Sequence, residues 1–314
     1  MMPSPTLFRS VGALAAVASS VVLLTGCGPA KSGGTTLGFV NGANTEFHVC
    51  LERAIDAAAG AANAKVIAAN SDQDPAKELS NIEDMISRNV RALIVQTVNV
   101  DALKGDIDKA KSANIPIYLT SVLPGDTGDI LGAAVVDLKR VGALDAGWVA
   151  KDAGSAPAEA AVIAGAPGAA SDLLATGFTA ALPANVKVVA NQPGMFNRSK
   201  AQDVAENMIQ AHPDLKYAFV ANEDMAFGAQ QAFRAAGKNV KIVTVNGTDE
   251  GLAAVKSGQF AATVANSATL IGQTAVRDTL ALLNKQNVDK VAQIPLTLVT
   301  ADNLDQAPQY CLKS

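Results

Sequence analysis

The 314-residue chain reads as an α/β protein with two doubly wound parallel-sheet lobes joined by a multi-strand hinge. Three observations predict it. Apolar, β-branched runs alternate with amphipathic helical stretches almost from end to end. The runs are nearly continuous in hydrophobicity, as strands covered on both faces by helices must be. There are ten of them, more than one open twisted sheet comfortably holds, so they divide between two lobes.

In chain order, Arg9 precedes an apolar run from Val11 to Leu24 that ends in Leu24-Thr25-Gly26-Cys27. A basic residue, a short hydrophobic stretch and small residues at the cut mark a secretory signal over residues 1–26. The run is shorter than the ~20 apolar residues of a comfortable membrane span. Its ending resembles the bacterial lipobox, which implies that Cys27 is lipidated and that residues 27–34 form a flexible tether. The protein is then held outside the cytoplasmic membrane by its lipid anchor.

Strands are predicted at Thr36–Val40, Lys65–Ala69, Ala92–Gln96, Pro116–Thr120 and Ala133–Val136. They continue at Ala161–Ala164, Val186–Ala190, Tyr217–Ala221, Lys241–Val245 and Ala261–Ala265. Helices between them include Pro75–Arg88, Asp101–Ser112, Lys200–Ala211 and Met225–Ala236. Asp74 before Pro75 is a helix start with proline at the first helical position, and Gly237 follows a helix end. A polar crossing near Val136-Asp137 is a candidate hinge, with others near Asn266 and within 294–302. The first lobe is thus assigned 35–136 plus 267–298, and the second 137–266 plus 299–314.

Composition narrows the classes. Hydrophobic residues make up 49% and charged residues 17%, which describes a globular chain. A net charge of −4 argues against nucleic acid as a partner, because phosphate binding needs a basic face. With Cys27 consumed by lipidation, Cys50 and Cys311 remain as an even pair in an oxidising compartment. A disulfide between the first helix of the body and the C-terminal segment is expected; two buried free thiols are the alternative.

In open α/β sheets, ligands bind beyond the carboxyl ends of the strands. The candidates are therefore Asn41 to His48, Gln96-Thr97 and Ser121, then Ala166 to Asp172, Phe196, Asn222-Glu223-Asp224, Asn246 and Asn266. Most are amides and hydroxyls, which match a sugar hydroxyl in either direction. The rings of Phe47, His48 and Phe196 suit the CH faces of a sugar or polyol. Taken singly, an asparagine after a strand equally caps a turn.

Four stretches carry a resemblance: Asp74-Pro75-Ala76-Lys77-Glu78-Leu79, Ser112-Ala113-Asn114-Ile115-Pro116, Ala211-His212-Pro213-Asp214 with Ala221-Asn222-Glu223-Asp224-Met225-Ala226, and Asn246-Gly247-Thr248. From about Thr36 to about Ala301 the body resembles the type I periplasmic sugar-binding proteins of ABC importers, the ribose and galactose-binding group. The resemblance implies a two-lobed receptor that closes on a sugar and delivers it to permease transmembrane subunits. It matches the family's ring-stacking aromatics to Phe47 and Phe196, and places His48 where a second aromatic stands. Asn222 keeps a family asparagine, while Gln96, Asn246 and Asn266 replace an Asn, an Asp and a Gln. A charged Asp-Arg pair becomes Ser121-Val122, and a second-lobe Arg becomes Asp172. Charged hydrogen bonds are the strong ones, so their loss points away from ribose or galactose and towards a sugar alcohol or an unusual monosaccharide. Asp172 then either accepts from a pair of hydroxyls or caps the following helix.

An enzyme is not expected. The chain has two histidines and no Gly-x-Ser-x-Gly, His-Glu-x-x-His or Cys-x-x-Cys pattern. Gly165-Ala166-Pro167-Gly168 lacks the lysine of a phosphate loop and reads as a turn. A repressor effector domain shares this architecture but carries a DNA-binding helix pair in place of an export signal. An amino-acid receptor favours an arginine for the carboxylate, and the one strong cation near the expected rim is Arg198. A receptor feeding a chemosensory or signalling partner is the remaining alternative. The expected molecule is a monomer that needs no cofactor or metal and binds a small neutral polyol or sugar.

Overall fold

Parallel pairing organises the molecule, whose computed structural model describes residues 34–313. The signal over 1–26 and the lipidation site Cys27 lie outside the described residues. The first half runs β1 (Thr36–Asn41), α1 (Glu46–Ala61), β2 (Lys65–Asn70), α2 (Pro75–Ser87), β3 (Ala92–Gln96), α3 (Leu103–Ser112), β4 (Ile117–Ser121) and β5 (Gly132–Val135). The second half runs α4 (Leu138–Ala153), β6 (Ala158–Ala164), α5 (Ala169–Ala181), β7 (Val186–Pro193), α6 (Arg198–Ala211), β8 (Leu215–Val220), α7 (Glu223–Ala235), β9 (Lys241–Asn246), α8 (Asp249–Lys256) and β10 (Ala262–Ala265). Helix α9 (Ala268–Leu283) and strands β11 (Val291–Gln293) and β12 (Thr297–Val299) follow.

The strands form two six-stranded sheets, ordered β11-β5-β4-β3-β1-β2 and β12-β10-β9-β8-β6-β7. Each contains the doubly wound order 2-1-3-4-5, so the same topology occurs twice in one chain. Every pairing is parallel except β10 with β12. Strands β3, β4 and β5 are buried at every residue, which explains their unbroken hydrophobicity. All ten strand candidates are present. β11 and β12, three residues each, lie in or beside the 294–302 segment read from sequence as a crossing.

Helix starts are set by side chains sitting where strands end. Asp74 Oδ1 accepts from Ala76 N at 2.8 Å, ahead of Pro75. Asn222 accepts from Met225 N at 2.8 Å, which starts α7 at Glu223, two residues before the sequence expectation. Asn197 likewise accepts from Lys200 N at 3.0 Å and starts α6 at Arg198.

The chain passes between the sheets after β5, after β10 and between β11 and β12. The third passage falls at 294–296, so residues 297 and 298 belong with the second sheet and not with the first lobe. The C-terminal segment also departs from its assignment to the second lobe. It returns to α1, where Cys311 is disulfide-bonded to Cys50 with Cα atoms 5.0 Å apart.

Helices α4 and α5 cross on glycines. A Cβ on Gly142 would lie 2.2 Å from Leu174 O and 2.4 Å from Phe178 N, and one on Gly177 would lie 2.1 Å from Lys139 O. These are backbone atoms, so the helices must separate to admit a methyl. Gly147, on the exposed side of the same α4, has nothing within 4 Å. We expect Gly142→Ala to destabilise the protein by about 1 to 3 kcal/mol through overpacking. Gly147→Ala should stabilise it by up to about 1 kcal/mol through helix propensity. Urea unfolding of both variants checks the opposite signs; equal effects would remove the close crossing as the cause.

Candidate functional site

The carboxyl ends of both sheets open onto one cavity of about 570 Å³. Eight of the residues singled out by sequence line it: Phe47, His48, Gln96 and Ser121 from the first lobe, and Phe196, Asn222, Asn246 and Asn266 from the second or its boundary. They converge because parallel strands all end at the same sheet edge, whatever their separation in the chain.

Two expectations are corrected. Asn41 is buried beneath the cavity and does not line it; its Nδ2 donates to His48 O at 3.0 Å and to Glu52 Oε2 at 3.3 Å, closing the turn into α1. Asp172 is exposed and also absent from the wall. Its neighbour Ser171 lines the cavity instead, since each helical residue turns the side chain by about 100°. Asp172 is not the N-cap either: the residue before α5 is Gly168, and Asp172 lies in the first turn, where a negative charge suits the helix dipole.

Several wall residues hold their polar groups in fixed directions. Gln96 Oε1 accepts from Thr120 Oγ1 at 2.6 Å and Ser121 Oγ at 3.0 Å, leaving its amide NH₂ as the available donor. Asn222 Oδ1 is committed to the α7 start, and Asn246 Oδ1 accepts from Glu223 N at 3.4 Å. Asn266 Oδ1 is the reverse case, a buried acceptor with no partner among the described residues. These four residues thus offer three amide donors and one open amide acceptor.

Backbone conformation at the site is unusual. Ser121, Phe196 and Asn246 have φ of +69°, +50° and +143°, conformations that cost a non-glycine residue about 1 to 3 kcal/mol. Phe196 is seated directly against Gly165, where an added Cβ would fall 2.0 Å from its Cζ. The Gly165 turn therefore makes room for an aromatic ring at the cavity wall.

Charge is confined. No lysine or arginine is among the described residues lining the cavity. Arg198 is held at the rim, 2.8 Å from Asp224 Oδ1 and with its guanidinium 5.0 Å from the Phe227 ring centre. His48 Nδ1 is 2.8 Å from Thr45 Oγ1, and burial pushes the imidazole down to about 4, so it is neutral at pH 7. Glu223 is buried, and its carboxylate accepts from Gly247 N, Thr248 N, Thr248 Oγ1 and Thr263 Oγ1 at 2.5–2.9 Å. Burial raises Glu46, with Glu250, Asp224 and Asp249 adding to the effect and Arg198 opposing it.

In the first lobe, Glu78 accepts from Thr97 Oγ1 and Val98 N, both at 2.7 Å, and so fixes the cavity loop after β3. Burial raises Glu78 to about 7, and it also raises the buried Asp106 beside it. Glu46, Thr97, Glu223 and Asp224, which fall within the stretches expected to follow strands, line the cavity as well. Tyr310, from the C-terminal segment, also lines the cavity and follows no strand; only the neighbouring Cys311 hinted at it.

Two parallel-sheet lobes sharing one polar cavity, reached by three chain passages, define a two-lobed binding protein. The chain belongs to the periplasmic binding protein family: the family model described as "Periplasmic binding protein domain" matches residues 38–287. The ribose import binding protein RbsB of Bacillus subtilis (strain 168) is 30% identical over 294 residues, covering 90% of this chain and 96% of the relative. A xylitol-binding protein of Mycolicibacterium smegmatis (strain ATCC 700084 / mc(2)155) is 28% identical over 311 residues, covering 96% of this chain and 88% of the relative. An ABC transporter solute-binding protein from Mycobacterium smegmatis, solved with bound glycerol, superposes with a TM-score of 0.83 at 25% identity, covering 90% of this chain and all (100%) of that one. All three are named as binding proteins, and two of them by import or an ABC transporter. No helix among the described residues is long and apolar enough to cross a membrane.

The depressed His48 gives the site a pH signature. Above pH 6.5 the imidazole is neutral folded and unfolded; between 6.5 and about 4 the unfolded chain takes up a proton that the folded protein refuses. Stability is therefore lost as pH falls through that window. Urea unfolding at pH 7 and pH 4.5 should show a smaller loss in His48→Gln than in the parent. Identical losses would mean that His48 titrates normally in the folded protein.

Proposed function

We propose that this protein is a lipid-anchored solute-binding subunit of an ABC importer, and that it captures a small neutral polyol, a sugar alcohol or a monosaccharide, between two closing lobes. One observation carries the reading: a cavity contributed by both lobes whose wall presents amides, hydroxyls, a neutral imidazole and the carboxyl groups of Glu46, Glu223 and Asp224, with no lysine or arginine among its described residues. Anionic ligands find no cation there to replace their hydration. Neutral hydroxyls find donors on Gln96, Asn222 and Asn246 and an acceptor on Asn266. Phe47 and Phe196 supply flat apolar faces on opposite sides of the lobe boundary. The names of the relatives, which cover ribose import and xylitol binding, support the same ligand class.

A ligand that touches both lobes stabilises the closed form only by its greater affinity for it, shifting an existing open–closed equilibrium. In this reading the moving bodies are residues 35–136 with 267–296, and 137–266 with β12, while the C-terminal segment returns to the first body at α1. The closed monomer presents the ligand to permease transmembrane subunits, and lipidation at Cys27 keeps it beside them at the outer face of the membrane.

A thermal-shift screen over sugars, sugar alcohols, amino acids and sugar acids tests the ligand class. A ligand at 100 times its Kd stabilises by roughly 2.7 kcal/mol. Shifts are expected from polyols or monosaccharides; shifts confined to amino acids or acids would overturn the reading. With the identified ligand, calorimetry on Phe196→Ala should show binding weakened by about 1 kcal/mol or more, from lost ring contact. Gly165→Ala, which drives a methyl into the same ring, should weaken binding in the same direction. For the anchor, Cys27→Ala in the full chain should move the protein from the membrane fraction to the soluble fraction, and an unchanged distribution would count against lipidation.

A further inference from the structure

The C-terminal segment does more than end the chain. From β12 it turns at Thr300, whose N donates to Asn303 Oδ1 at 2.8 Å, and then runs back to the first lobe. There it is held at four points. The Ser267 hydroxyl donates to Gln309 O, while Thr269 N and Oγ1 donate to Tyr310 O at 3.0 and 3.1 Å. Arg53 Nη1 donates to Leu312 O at 2.9 Å, and Cys311 is covalently joined to Cys50. Ser267 and Thr269 start α9 directly after the wall residue Asn266, so the segment is pinned beside the cavity.

The side chain between those anchors is Tyr310. It is buried, yet it lines the cavity, and its hydroxyl makes no hydrogen bond among the described residues. The other two tyrosines differ: Tyr118 donates to Asp278 Oδ2 at 3.4 Å and Tyr217 to Asp152 Oδ2 at 2.7 Å. A phenol hydroxyl at a polar cavity wall with no protein partner is free to pair with a ligand. Burial, with the nearby charges of Glu223 and Glu46, keeps this hydroxyl protonated and able to donate. Around it, Cys50, Ala268 and Tyr310 form a small apolar cluster of their own, with Phe47 and Cys311 packed against it. The disulfide therefore backs both Tyr310 and the ring of Phe47.

We propose that Tyr310 is a ligand-contacting residue whose hydroxyl pairs with a hydroxyl of the bound polyol, and that the Cys50–Cys311 bridge is a positioning device holding Tyr310 and Phe47 at the cavity wall. This rests on the polyol reading and adds to it a fourth chain passage between the lobes, closed by a covalent bond.

Isothermal titration of the oxidised protein with xylitol, ribitol, D-ribose and myo-inositol selects the tightest binder for the test. Tyr310→Phe keeps the ring and its packing; it should raise Kd roughly 3- to 10-fold, the effect of one neutral hydrogen bond, with the melting temperature of the free protein little changed. C50S/C311S should raise Kd by at least as much while circular dichroism reports a folded protein, and Tyr310→Phe should then have a smaller effect in that background than in the parent. An unchanged Kd in Tyr310→Phe overturns the contact, and an unchanged Kd in folded C50S/C311S overturns the positioning role. If C50S/C311S does not fold, Tyr310→Phe in the parent decides the contact, and the oxidised protein titrated before and after mild reduction decides the bridge. A parent protein that binds none of the four overturns the polyol reading and this inference together.

Discussion

Two buried glutamates hold the cavity together. Glu78, in the first turn of α2, binds the hydroxyl of Thr97 and the backbone of Val98 after β3. Glu223, the first residue of α7, binds the backbone of Gly247 and Thr248 after β9 and the hydroxyls of Thr248 and Thr263. Each fastens a helix start to the loop after a neighbouring strand, and each does so inside its own lobe. A buried carboxyl is costly unless its oxygens are satisfied, so these contacts fix the loops in one arrangement. Gly251 is part of the second device, since a Cβ there would lie 2.0 Å from the Glu223 carboxyl carbon. Asp145 shows the contrast: its two buried oxygens have no partner among the described residues, and burial, with the nearby Glu223 charge adding to it, raises the group well above the ordinary carboxylate range.

With those loops fixed, the wall follows from the strand edges. Left-handed backbone at Ser121 and Phe196 re-aims two side chains that an extended strand end would direct elsewhere. Committing the amide oxygens of Gln96, Asn222 and Asn246 to the protein leaves their NH₂ groups as the free end, which turns flexible bifunctional groups into directed donors. Positive charge is kept out as well: Arg198 is paired with Asp224, and His48 is kept uncharged by burial. Such a site separates ligands by the pattern of their hydroxyls more than by charge.

The strand–helix alternation was legible because parallel strands buried on both faces must be apolar throughout, a pattern that survives without any alignment. The wall was legible where a residue directly follows a strand, as for Gln96, Ser121, Asn222, Asn246 and Asn266. It was misjudged where the answer depended on angle: Asp172 and Ser171 are adjacent in sequence, but the start of α5 turns only Ser171 into the cavity. Asn41 ends β1 as the rule requires, yet its NH₂ is taken up by His48 and Glu52 below the surface. β11 and β12, with three residues each, carry too little periodicity to be seen.

Local pattern thus determined what each segment is: two sets of βα units, their caps, and the rows of polar residues after the strands, because propensity and periodicity act over a few residues. The disulfide was also within its reach, since parity of cysteines needs no coordinates. Only the tertiary structure decided which side chains meet. Bringing Tyr310 beside Phe47, 263 positions away, depends on where the C-terminal segment returns, and the sequence separation of 261 between Cys50 and Cys311 shows how little chain order says about it. Long-range placement is set by the packing of whole layers, and no single stretch of sequence contains it.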